Sequence, residues 1–551
     1  MSTSRQLISL LASASLAAAL GACTDSPASR SVTGGAVTTV SGNLSTIGAA
    51  TTAVGNINWY GDYRPPISLD PLALSDYPEE TVIPNMCEPL LRVAPDYTIT
   101  GGLATAADYV DALHLVLTIR PGVKFWDGAT MTADDVAFSL GRNLDPNVAS
   151  NYGGNFRRVA SITTSGPNKV TITFKTPTQD FNPVLATVAS AVVEKSWVKK
   201  AGRSFGTPQT GVMCTGPYMF GSFDGTSKLV LKKNPAYWDT TRAAHAATFT
   251  FLYPADPAAL ANALKSGQIQ GGFNIPSGLL ATLQSATTGK TYVGPAGSTP
   301  ANVDLLLARS TGTLSDPRVR QALSMAIDRG GIAKTVYQGT ADPLYALSGP
   351  GVWGYQKATF QAAYAPMVKK VDVAAAKALI TQAGAAGKKV TLGYPTGDVQ
   401  STQILTVLEQ AGNSIGLAMK IQGLPSQQYG ALFADPGARA PFDGFLTKSY
   451  VEIPDPVLQD ALLGATTGDN NFSRYSSTVV DTALDAAWAT DDTAERAQHV
   501  ITAETEIAKG LPAIPIVQPR ATVYLSTRLA GATMTFSYMS SPWAAAVGGI
   551  A

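Results

Sequence analysis

Strand and helix patterns alternate along the second half of the chain, and this alternation limits the fold more than any other feature of the sequence. Residues 316–339 and 371–384 have the apolar spacing of amphipathic helices, and residues 388–395 follow as a strand. A third helix is predicted over residues 401–417, with a strand over residues 418–424 directly after it. Such alternation is typical of α/β folds. We therefore expect an α/β lobe in this half of the chain.

The length of the chain requires more than one folded unit. Single cores stop growing beyond roughly 250–300 residues, whereas this chain has 551 residues, 45% of them hydrophobic and 14% charged. Strands are predicted over residues 114–120, 169–176 and 228–234, and a helix begins at Thr132. We expect globular structure from about Ile57 onward, and a second predicted helical segment lies near the end, over residues 482–510.

The charge balance excludes several classes of function. There are 40 basic and 39 acidic residues, and no block of Lys and Arg occurs. A nucleic-acid binder needs a basic stripe to neutralise phosphates, so we expect no nucleic-acid partner. The three histidines, His114, His245 and His499, lie far apart in the sequence. We therefore predict no metal and no cofactor, and the sequence contains no HExxH motif or P-loop.

The first segment of the chain has the pattern of an export signal. Arg5 is its single charge, and an apolar run over residues 7–20 is too short for comfortable membrane spanning. The run ends in Leu-Gly-Ala-Cys, which resembles a bacterial lipobox, in which the Cys thiol carries diacylglycerol and becomes the new N terminus. We expect residues 1–22 to be a lipoprotein signal peptide and Cys23 to anchor the protein to the outer face of the cell membrane. The alternative is a plain signal peptide with an incidental cysteine.

The segment that follows the lipobox has the composition of a linker. Residues 23–55 are rich in Ser, Thr, Gly and Ala, and their periodicity is poor. Such a stretch buries too little apolar surface to order itself. We expect a flexible tether here.

Two cysteines remain, Cys87 and Cys214. Export exposes them to an oxidising compartment, where an even pair indicates a possible disulfide. The alternative is two buried free thiols, since cysteine is readily buried.

Several sequence blocks occur in a fixed order along the chain. They are RPGVKFWDGATMTADDV (120–136), TGPY (215–218), NPAYW (234–238), RVRQALSMAIDR (318–329), AKALITQAG (376–384), EIPDP (452–456) and NFSRYSS (471–477). In these blocks, over roughly residues 57–530, the chain resembles the bacterial extracellular solute-binding proteins of the peptide/nickel class, family 5.

The resemblance implies a particular architecture. It is an α/β, two-lobed periplasmic-binding-protein-like fold of type II, in the large cluster with an extra subdomain, and its lobes are joined by two hinge strands near residues 301–309 and 512–519. The implied division of the chain is residues 56–300 with 516–551 for lobe I, about 76–184 for the extra subdomain within it, and 301–515 for lobe II.

The resemblance also implies a function. A protein of this family captures a small ligand between closing lobes and delivers it to the permease subunits of an ABC importer, here as a monomer. An oligopeptide or dipeptide is the expected ligand. The same fold binding a nickel chelate or an oligosaccharide is the alternative.

Five residues are candidates for ligand binding. In peptide-binding relatives a carboxylate shortly before an Asp-Pro pair meets the ligand's α-ammonium, and Glu452 matches that position, where relatives carry Asp. Tyr450 is the nearest aromatic residue, and Tyr63 and Trp353 offer flat rings with a polar group. Arg64 can pair with a carboxylate in bidentate fashion. The alternative for Glu452 is a solvated loop acid.

An enzyme is the distant alternative. The G-x-S-x-G pattern of hydrolases occurs at residues 202–206 and 412–416. The serine of such an elbow must lie on a strand-to-helix turn. The first match follows a helix-like stretch and the second ends a predicted helix, so we expect no enzyme and keep a secreted hydrolase as a minor alternative.

Overall fold

The structure is a computed structural model that describes residues 38–39, 45–73 and 76–551. The predicted signal peptide and the predicted lipidation site, Cys23, lie outside the described residues, as does most of the predicted tether. None of the helices in the described ranges combines the length and apolar character that a membrane span needs.

The strands fall into two large sheets, a smaller one and several short pairs. In chain order they are β1 (Thr38–Thr39), β2 (Thr46–Ile47), β3 (Val54–Tyr60), β4 (Leu91–Val93), β5 (Ile99–Gly101), β6 (Ala104–Asp111), β7 (His114–Ile119), β8 (Val159–Gly166), β9 (Lys169–Phe174), β10 (Tyr218–Phe223), β11 (Lys228–Lys233), β12 (Ala246–Leu252), β13 (Gly271–Phe273), β14 (Gly289–Val293), β15 (Ala301–Leu307), β16 (Ala341–Pro343), β17 (Lys389–Pro395), β18 (Ala418–Leu424), β19 (Gly444–Tyr450), β20 (Ala513–Pro519), β21 (Thr522–Ser526), β22 (Leu529–Ala530), β23 (Ala532–Thr533) and β24 (Gly548–Gly549).

Helices surround these sheets. In chain order they are α1 (Tyr77–Val82), α2 (Ala133–Gly141), α3 (Asn182–Leu185), α4 (Lys195–Ala201), α5 (Pro257–Ser266), α6 (Leu280–Leu283), α7 (Pro317–Ala326), α8 (Arg329–Thr335), α9 (Lys357–Tyr364), α10 (Val373–Gln382), α11 (Val399–Ser414), α12 (Ser426–Ala434), α13 (Pro436–Arg439), α14 (Pro456–Leu463), α15 (Thr478–Ala489) and α16 (Thr493–Gly510).

The first large sheet is the centre of lobe I. Its strand order is β1-β14-β21-β13-β3-β12-β11-β10, and β3 pairs in parallel with both β12 and β13. Trp59 of β3 is fully buried, and its ring packs against Phe249, Phe273 and Trp543 at centroid distances of 5.9, 5.1 and 4.9 Å. Because Trp543 also donates a 3.0 Å hydrogen bond to the carbonyl of Thr81, this aromatic core fixes α1 to lobe I.

The second large sheet is the centre of lobe II. Its order is β16-β20-β15-β19-β17-β18, with β15 antiparallel to both of its neighbours. Every residue of β15 is buried, as expected for a strand covered on both faces. Successive side chains alternate between the faces, so Val303 and Leu305 join the apolar core under α7, α8, α10 and α11. Asp304 points to the opposite face.

A four-stranded sheet, β6-β7-β9-β8, forms a smaller layer beside α2. The helix begins at a capping box. The Thr132 side chain accepts from the backbone of Asp135, and Asp135 accepts from the backbone of Thr132. The local sequence signal therefore sets the start of this helix.

Two connections join the large sheets. The first is residues 294–300, between β14 and β15, and the second is Arg520 and Ala521, between β20 and β21. The two connections are hydrogen-bonded to each other, because Gly294 donates to the Ala521 carbonyl at 2.8 Å and Ala521 donates to Ser298 Oγ at 2.9 Å. Residues 516–519 are the end of β20, which pairs with β15 and β16 in the second large sheet.

Two long predicted helices are each divided. The segment predicted as one helix over residues 316–339 breaks at Asp328, whose side chain accepts from Gly331 and caps α8. The break turns the Arg329 guanidinium inward, where it donates to the carbonyls of Leu344 and Pro515. The segment predicted as helix over residues 482–510 is likewise divided, because Asp492 caps α16.

Residues 45–55 differ from the predicted tether. Strand β2 pairs with β23, Ile47 is buried, and Thr52 donates to the Gly549 carbonyl at 3.1 Å. The ordered chain therefore begins before residue 55, because an apolar side chain and a free strand edge offer this segment a place to pack.

Cys87 and Cys214 are joined in the structure as a disulfide with their Cα atoms 5.0 Å apart, and both residues are fully buried. The neighbouring Glu88 carboxylate is enclosed by donors from the TGPY and NPAYW blocks. It accepts from Thr215 at 3.0 Å, from Tyr237 at 2.6 Å and from Trp238 at 2.9 Å. The TGPY and NPAYW blocks therefore stabilise the structure of lobe I.

Candidate functional site

Polar and aromatic side chains of the two lobes meet near the end of β19. The contact is direct: the Tyr450 ring lies 4.9 Å from that of Tyr77 and 5.6 Å from that of Phe536. We call the following set the inter-lobe cluster: Asp62, Asp76, Tyr77, Glu80 and Phe536 of lobe I, and Tyr337, Lys448, Tyr450 and Glu452 of lobe II.

Side chains alternate between the two faces of β19, and this alternation decides which of its residues join the inter-lobe cluster. Lys448 and Tyr450 are two residues apart and share one face of the strand. Ser449 lies on the other face, where its hydroxyl donates to Asp304 at 2.5 Å. Burial raises the pKa of Asp304 to about 7. One face of β19 therefore serves the inter-lobe cluster and the other a buried polar contact within lobe II.

Glu452 follows β19 and is 8% exposed, so it is not a solvated loop acid. Glu80, which is fully buried on α1, lies close enough to Glu452 to affect its ionisation. Glu80 also accepts from the hydroxyl of Tyr450 at 2.9 Å and from the hydroxyl of Tyr152. Burial raises the pKa of Glu452. The structure therefore places Glu452 and Tyr450 together, with Glu80 as their shared partner.

Arg64 is engaged within lobe I. Its guanidinium contacts Asp76 at 2.6 Å and Glu79 at 2.8 Å, and Glu79 is fully buried. Tyr63 is 60% exposed and donates to the same Asp76 at 2.5 Å. Two carboxylates neutralise Arg64 and tie it to the start of α1. Its pairing with a ligand carboxylate stays a prediction.

Asp62 has the most constrained backbone of the cluster. Its φ of 90° lies where residues other than glycine are rare. The carboxylate accepts from the backbone of Tyr63 at 2.8 Å and from the Asn274 amide at 3.0 Å. Burial raises the pKa of Asp62 to about 6. These bonds hold a buried acid at the carboxyl end of β3, facing lobe II.

Lys448 is the cation of the cluster that faces Asp62. Its Nζ atom lies 3.7 Å from Asp398, the N-cap of α11. Burial opposes its charge, but Asp398, Tyr337 and Asp62 outweigh burial and raise the pKa of Lys448. Tyr337 is 4% exposed, and its hydroxyl has no hydrogen-bond partner among the residues that the structure describes.

Trp353 packs away from these groups. Its indole N–H donates to the Ser348 carbonyl at 3.0 Å, and its ring stacks on Phe360 and meets the edge of Tyr364. It is 5% exposed. The structure thus shows Trp353 in packing contacts, and its contact with a ligand stays a prediction.

The two G-x-S-x-G matches lack the geometry of a nucleophile elbow. The Ser204 hydroxyl donates to the Ala201 carbonyl at 2.8 Å, just after α4. The Ser414 hydroxyl donates to the Ala411 carbonyl at 2.7 Å, at the end of α11. Neither serine lies on a strand-to-helix turn. Among the described residues, no three His, Cys, Asp or Glu side chains are arranged to hold a metal ion.

The sequence reasoning missed Asp62, Glu80, Lys448 and Tyr337. Two of them carried a usable signal: Asp62 precedes the candidate Tyr63, and Lys448 shares the face of Tyr450 by strand alternation. Glu80 lies on α1 and Tyr337 follows the end of α8. Both are far from β19 in sequence, and nothing local marks them.

Comparison with known proteins places the chain in a family. The family described as "Bacterial extracellular solute-binding proteins, family 5 Middle" matches residues 98–469. The glutathione-binding protein GsiB of Salmonella typhi is 26% identical over 477 residues, which cover 84% of this chain and 89% of that protein. Protein XP55 of Streptomyces lividans is 27% identical over 450 residues, covering 77% of this chain and 76% of that protein.

Solved structures share the fold. AgaA of A. tumefaciens R10, in complex with agropinic acid, superposes with a TM-score of 0.79 at 22% identity, over 90% of this chain and 99% of that one. The oligopeptide-binding protein AppA of Bacillus subtilis, in complex with a nonapeptide, gives 0.78 at 18% identity, over 91% and 100%. The two-lobed periplasmic-binding-protein architecture predicted from the sequence blocks is thereby confirmed.

Proposed function

Because the chain belongs to the bacterial extracellular solute-binding proteins of family 5, we propose that its lobes close on a short peptide with a free amino terminus and deliver it to the permease subunits of an ABC importer. The family consists of substrate-binding proteins and not of enzymes. Relatives named for different ligands share this fold. The ligand class must therefore be argued from the residues of this chain.

One observation carries the peptide proposal: a buried carboxyl, Glu452, lies at the meeting point of the lobes with a second one, Glu80, opposite it. Enclosing a carboxylate without a cation or proton is costly. The α-ammonium of a peptide supplies that cation, and its three N–H donors match oxygen acceptors that converge from both lobes.

The surroundings favour a compact positive group. Tyr77, Tyr450 and Phe536 offer aromatic faces and edges beside the carboxyls. Aromatic rings attract ammonium groups by about 0.5–2 kcal/mol. Lys448 and the Tyr337 hydroxyl lie further along the same face of lobe II, where a peptide carboxylate or carbonyl would find donors.

The division of the inter-lobe cluster between the two lobes fits a protein that closes about a hinge. The described groups lie on both large sheets, and the sheets are joined through two connections that are bonded to each other. We propose that residues 301–309 and 512–519 flank the hinge, that the boundaries of the lobes follow the two sheets, and that the protein acts as a monomer.

Calorimetric titration of the purified protein tests the proposal. The probes are dialanine, trialanine, N-acetyl-trialanine and glutathione. We expect trialanine to bind, N-acetylation to weaken that binding, and Glu452→Ala to weaken the binding of unblocked trialanine. Glu495→Ala, which alters an acid that is 58% exposed on α16, is the matched control. Equal affinities in both comparisons would remove Glu452 from the site.

We also propose that Cys23 anchors the protein at the outer face of the membrane. The lipobox-like sequence supports this proposal. Growth of producing cells with labelled palmitate should label the protein, and Cys23→Ser should abolish the label and release the protein from the membrane fraction. A labelled Cys23→Ser protein would contradict the anchor.

A further inference from the structure

The lobes also meet through residues outside the inter-lobe cluster. The four-stranded sheet lies in the chain between β3 and β10, two strands of the first large sheet. Helix α2 beside it is tied to lobe I, because Arg142, which follows α2, contacts Asp70 at 2.6 Å. Helices α14, α15 and α16 lie between β19 and β20, two strands of the second large sheet. Loops beside the four-stranded sheet contact these helices and the loop after α14, so this second contact also joins lobe I to lobe II.

Opposite charges face each other across this second contact. Among the described residues, the ion pairs that cross it are Arg157 with Asp469, Arg158 with Asp485, and Asp180 with Arg496. Arg158 Nη1 lies 2.5 Å from the Asp485 carboxylate. Arg157 also donates to the Thr467 carbonyl at 2.5 Å. Each lobe supplies both basic and acidic partners, so the charges favour one alignment of the two surfaces.

Trp488 of α15 lies between basic groups of both lobes. The guanidinium carbons of Arg158 and Arg496 lie 5.9 and 5.7 Å from the centre of its ring, within the range of cation–π attraction. The Trp488 carbonyl accepts a 2.8 Å hydrogen bond from the backbone of Gln179, which follows the four-stranded sheet. The alignment of the two surfaces is therefore also set by contacts that are not exposed ion pairs.

Separation of these surfaces leaves no buried charge unpaired. Arg496 is buried, but it also contacts Asp455 of its own lobe at 2.6 Å and keeps this partner when Asp180 moves away. The side chains of Asp180, Asp469 and Asp485 are 30%, 50% and 68% exposed, so water can solvate these carboxylates. Unpaired charges are costly when they are buried. The second contact can therefore form and separate reversibly.

We infer that this second contact is a latch, which stabilises the closed arrangement of the lobes and weakens as the ionic strength rises. Its exposed ion pairs are the salt-sensitive part, since dissolved ions screen charges that are in contact with water. A contact that is made only in the closed arrangement shifts the population towards that arrangement, with or without a ligand. The inference goes beyond the proposed function, because the latch acts through residues outside the inter-lobe cluster, whatever the ligand is.

Small-angle X-ray scattering of the purified, ligand-free protein tests the latch. The double variant Asp469→Ala/Asp485→Ala removes the lobe II acids of the two exposed pairs. Glu506→Ala, which breaks a pair with Lys509 within α16, is the matched control.

At about 0.02 M NaCl, where screening is weak, we expect the double variant to have a larger radius of gyration than the wild type and the control. At about 1 M NaCl, where charges are screened beyond about 3 Å, we expect the wild type to approach the double variant. Equal radii of the wild type and the double variant at low salt would overturn the latch.

A charge exchange shows whether the pairing itself matters. Arg157→Asp alone places two acids opposite each other, whereas Arg157→Asp combined with Asp469→Arg restores an opposite pair. We expect the single variant to be more expanded than the wild type at low salt and the exchanged variant to recover the wild-type radius of gyration. A merely structural role of Arg157 gives no such recovery, so an exchanged variant that stays as expanded as the single one would also overturn the latch.

Calorimetric titration with trialanine measures the effect on ligand binding. Exposed ion pairs contribute modestly, so we expect the affinity of the double variant to be about two- to tenfold lower than that of the wild type at low salt. The difference should disappear at about 1 M NaCl. A difference of the same size at both salt concentrations would contradict the latch. If trialanine binds to none of these proteins, the proposed function fails, while the scattering measurements still decide the latch.

Discussion

The Tyr450 hydroxyl donates a 2.9 Å hydrogen bond to the carboxylate of Glu80, and this bond joins lobe II to lobe I. The two residues are 370 positions apart in the chain. Because the bond exists only while the lobes are in contact, it contributes to the closed arrangement and not to the folding of either lobe.

Tyr450→Phe removes this bond and keeps the ring. Hydrogen bonds to charged groups contribute about 1.5–3 kcal/mol, so we expect trialanine affinity to fall about tenfold or more while the unfolding midpoint changes little. Tyr475→Phe is the control, since its hydroxyl bonds a carbonyl within lobe II. Calorimetric titration checks the affinity. Equal losses in the two variants would show that the Glu80 bond has no special role.

Asp304→Asn tests a buried acid on the strand that adjoins the hinge. The pKa of Asp304 is about 7 in the folded protein against 3.8 unfolded. Between these pH values the folded state holds a proton that the unfolded state releases, so stability falls as pH rises from about 4 to 7, and the deficit persists above pH 7.

An asparagine at this position cannot ionise, so the Asp304→Asn variant does not lose stability as pH rises from about 4 to 7. We expect it to exceed the wild type in the free energy of unfolding by up to about 4 kcal/mol at pH 8 and to match it at pH 4. Urea denaturation at the two pH values measures the difference, and the exposed Asp491→Asn is the control. A difference that is the same at both pH values would contradict the assigned ionisation.

Replacing Cys87 and Cys214 with serine tests the disulfide. The bond closes a loop with a sequence separation of 127 residues, for which the chain-entropy model gives about 4–5 kcal/mol. We expect a loss of stability of up to that size in the double variant. Mass spectrometry of a non-reduced digest should recover the two cysteine peptides as one linked species, and their recovery as separate thiol peptides would refute the bond.

Arg496→Met tests a buried ion pair. Arg496 is 2% exposed and bonds Asp455, itself buried, at 2.6 Å, and it also contacts Asp180. Removal of one partner leaves a buried charge unpaired, so we expect a loss of about 3–5 kcal/mol. Lys509→Met on the same helix breaks an exposed pair with Glu506 and should change the unfolding temperature little. Thermal unfolding compares the two, and similar losses would argue against the burial effect.

The sequence predicted the elements of lobe II well because their signals are local. Strand β18 begins and ends as predicted, at Ala418 and Leu424. The two divided helices also carried a local signal, since Asp328 and Asp492 are good N-cap residues. The apolar periodicity continued across both positions and concealed the breaks.

The candidate site was harder to predict, because its partners are set by tertiary contacts. Glu452 and Tyr450 were found through a family block, but the acid that meets them lies on α1, far away in sequence. Arg64 is a good carboxylate ligand by chemistry, and it is neutralised by two acids 12 and 15 residues further along. The fold decides which charged side chains remain free to bind a ligand. The type of residue alone does not reveal this.

The short connection of Arg520 and Ala521 constrains how the lobes can move. Arg520 donates to Asp342 through Nε at 2.9 Å, and Ala521 is bonded to the other connection. Lobes joined in this way can move relative to each other in few independent directions. The distance between one position on each lobe therefore describes how far they have closed. A pair of dyes at the exposed positions Ile67 and Val399, one on each lobe, would turn the protein into an optical reporter of its own ligand.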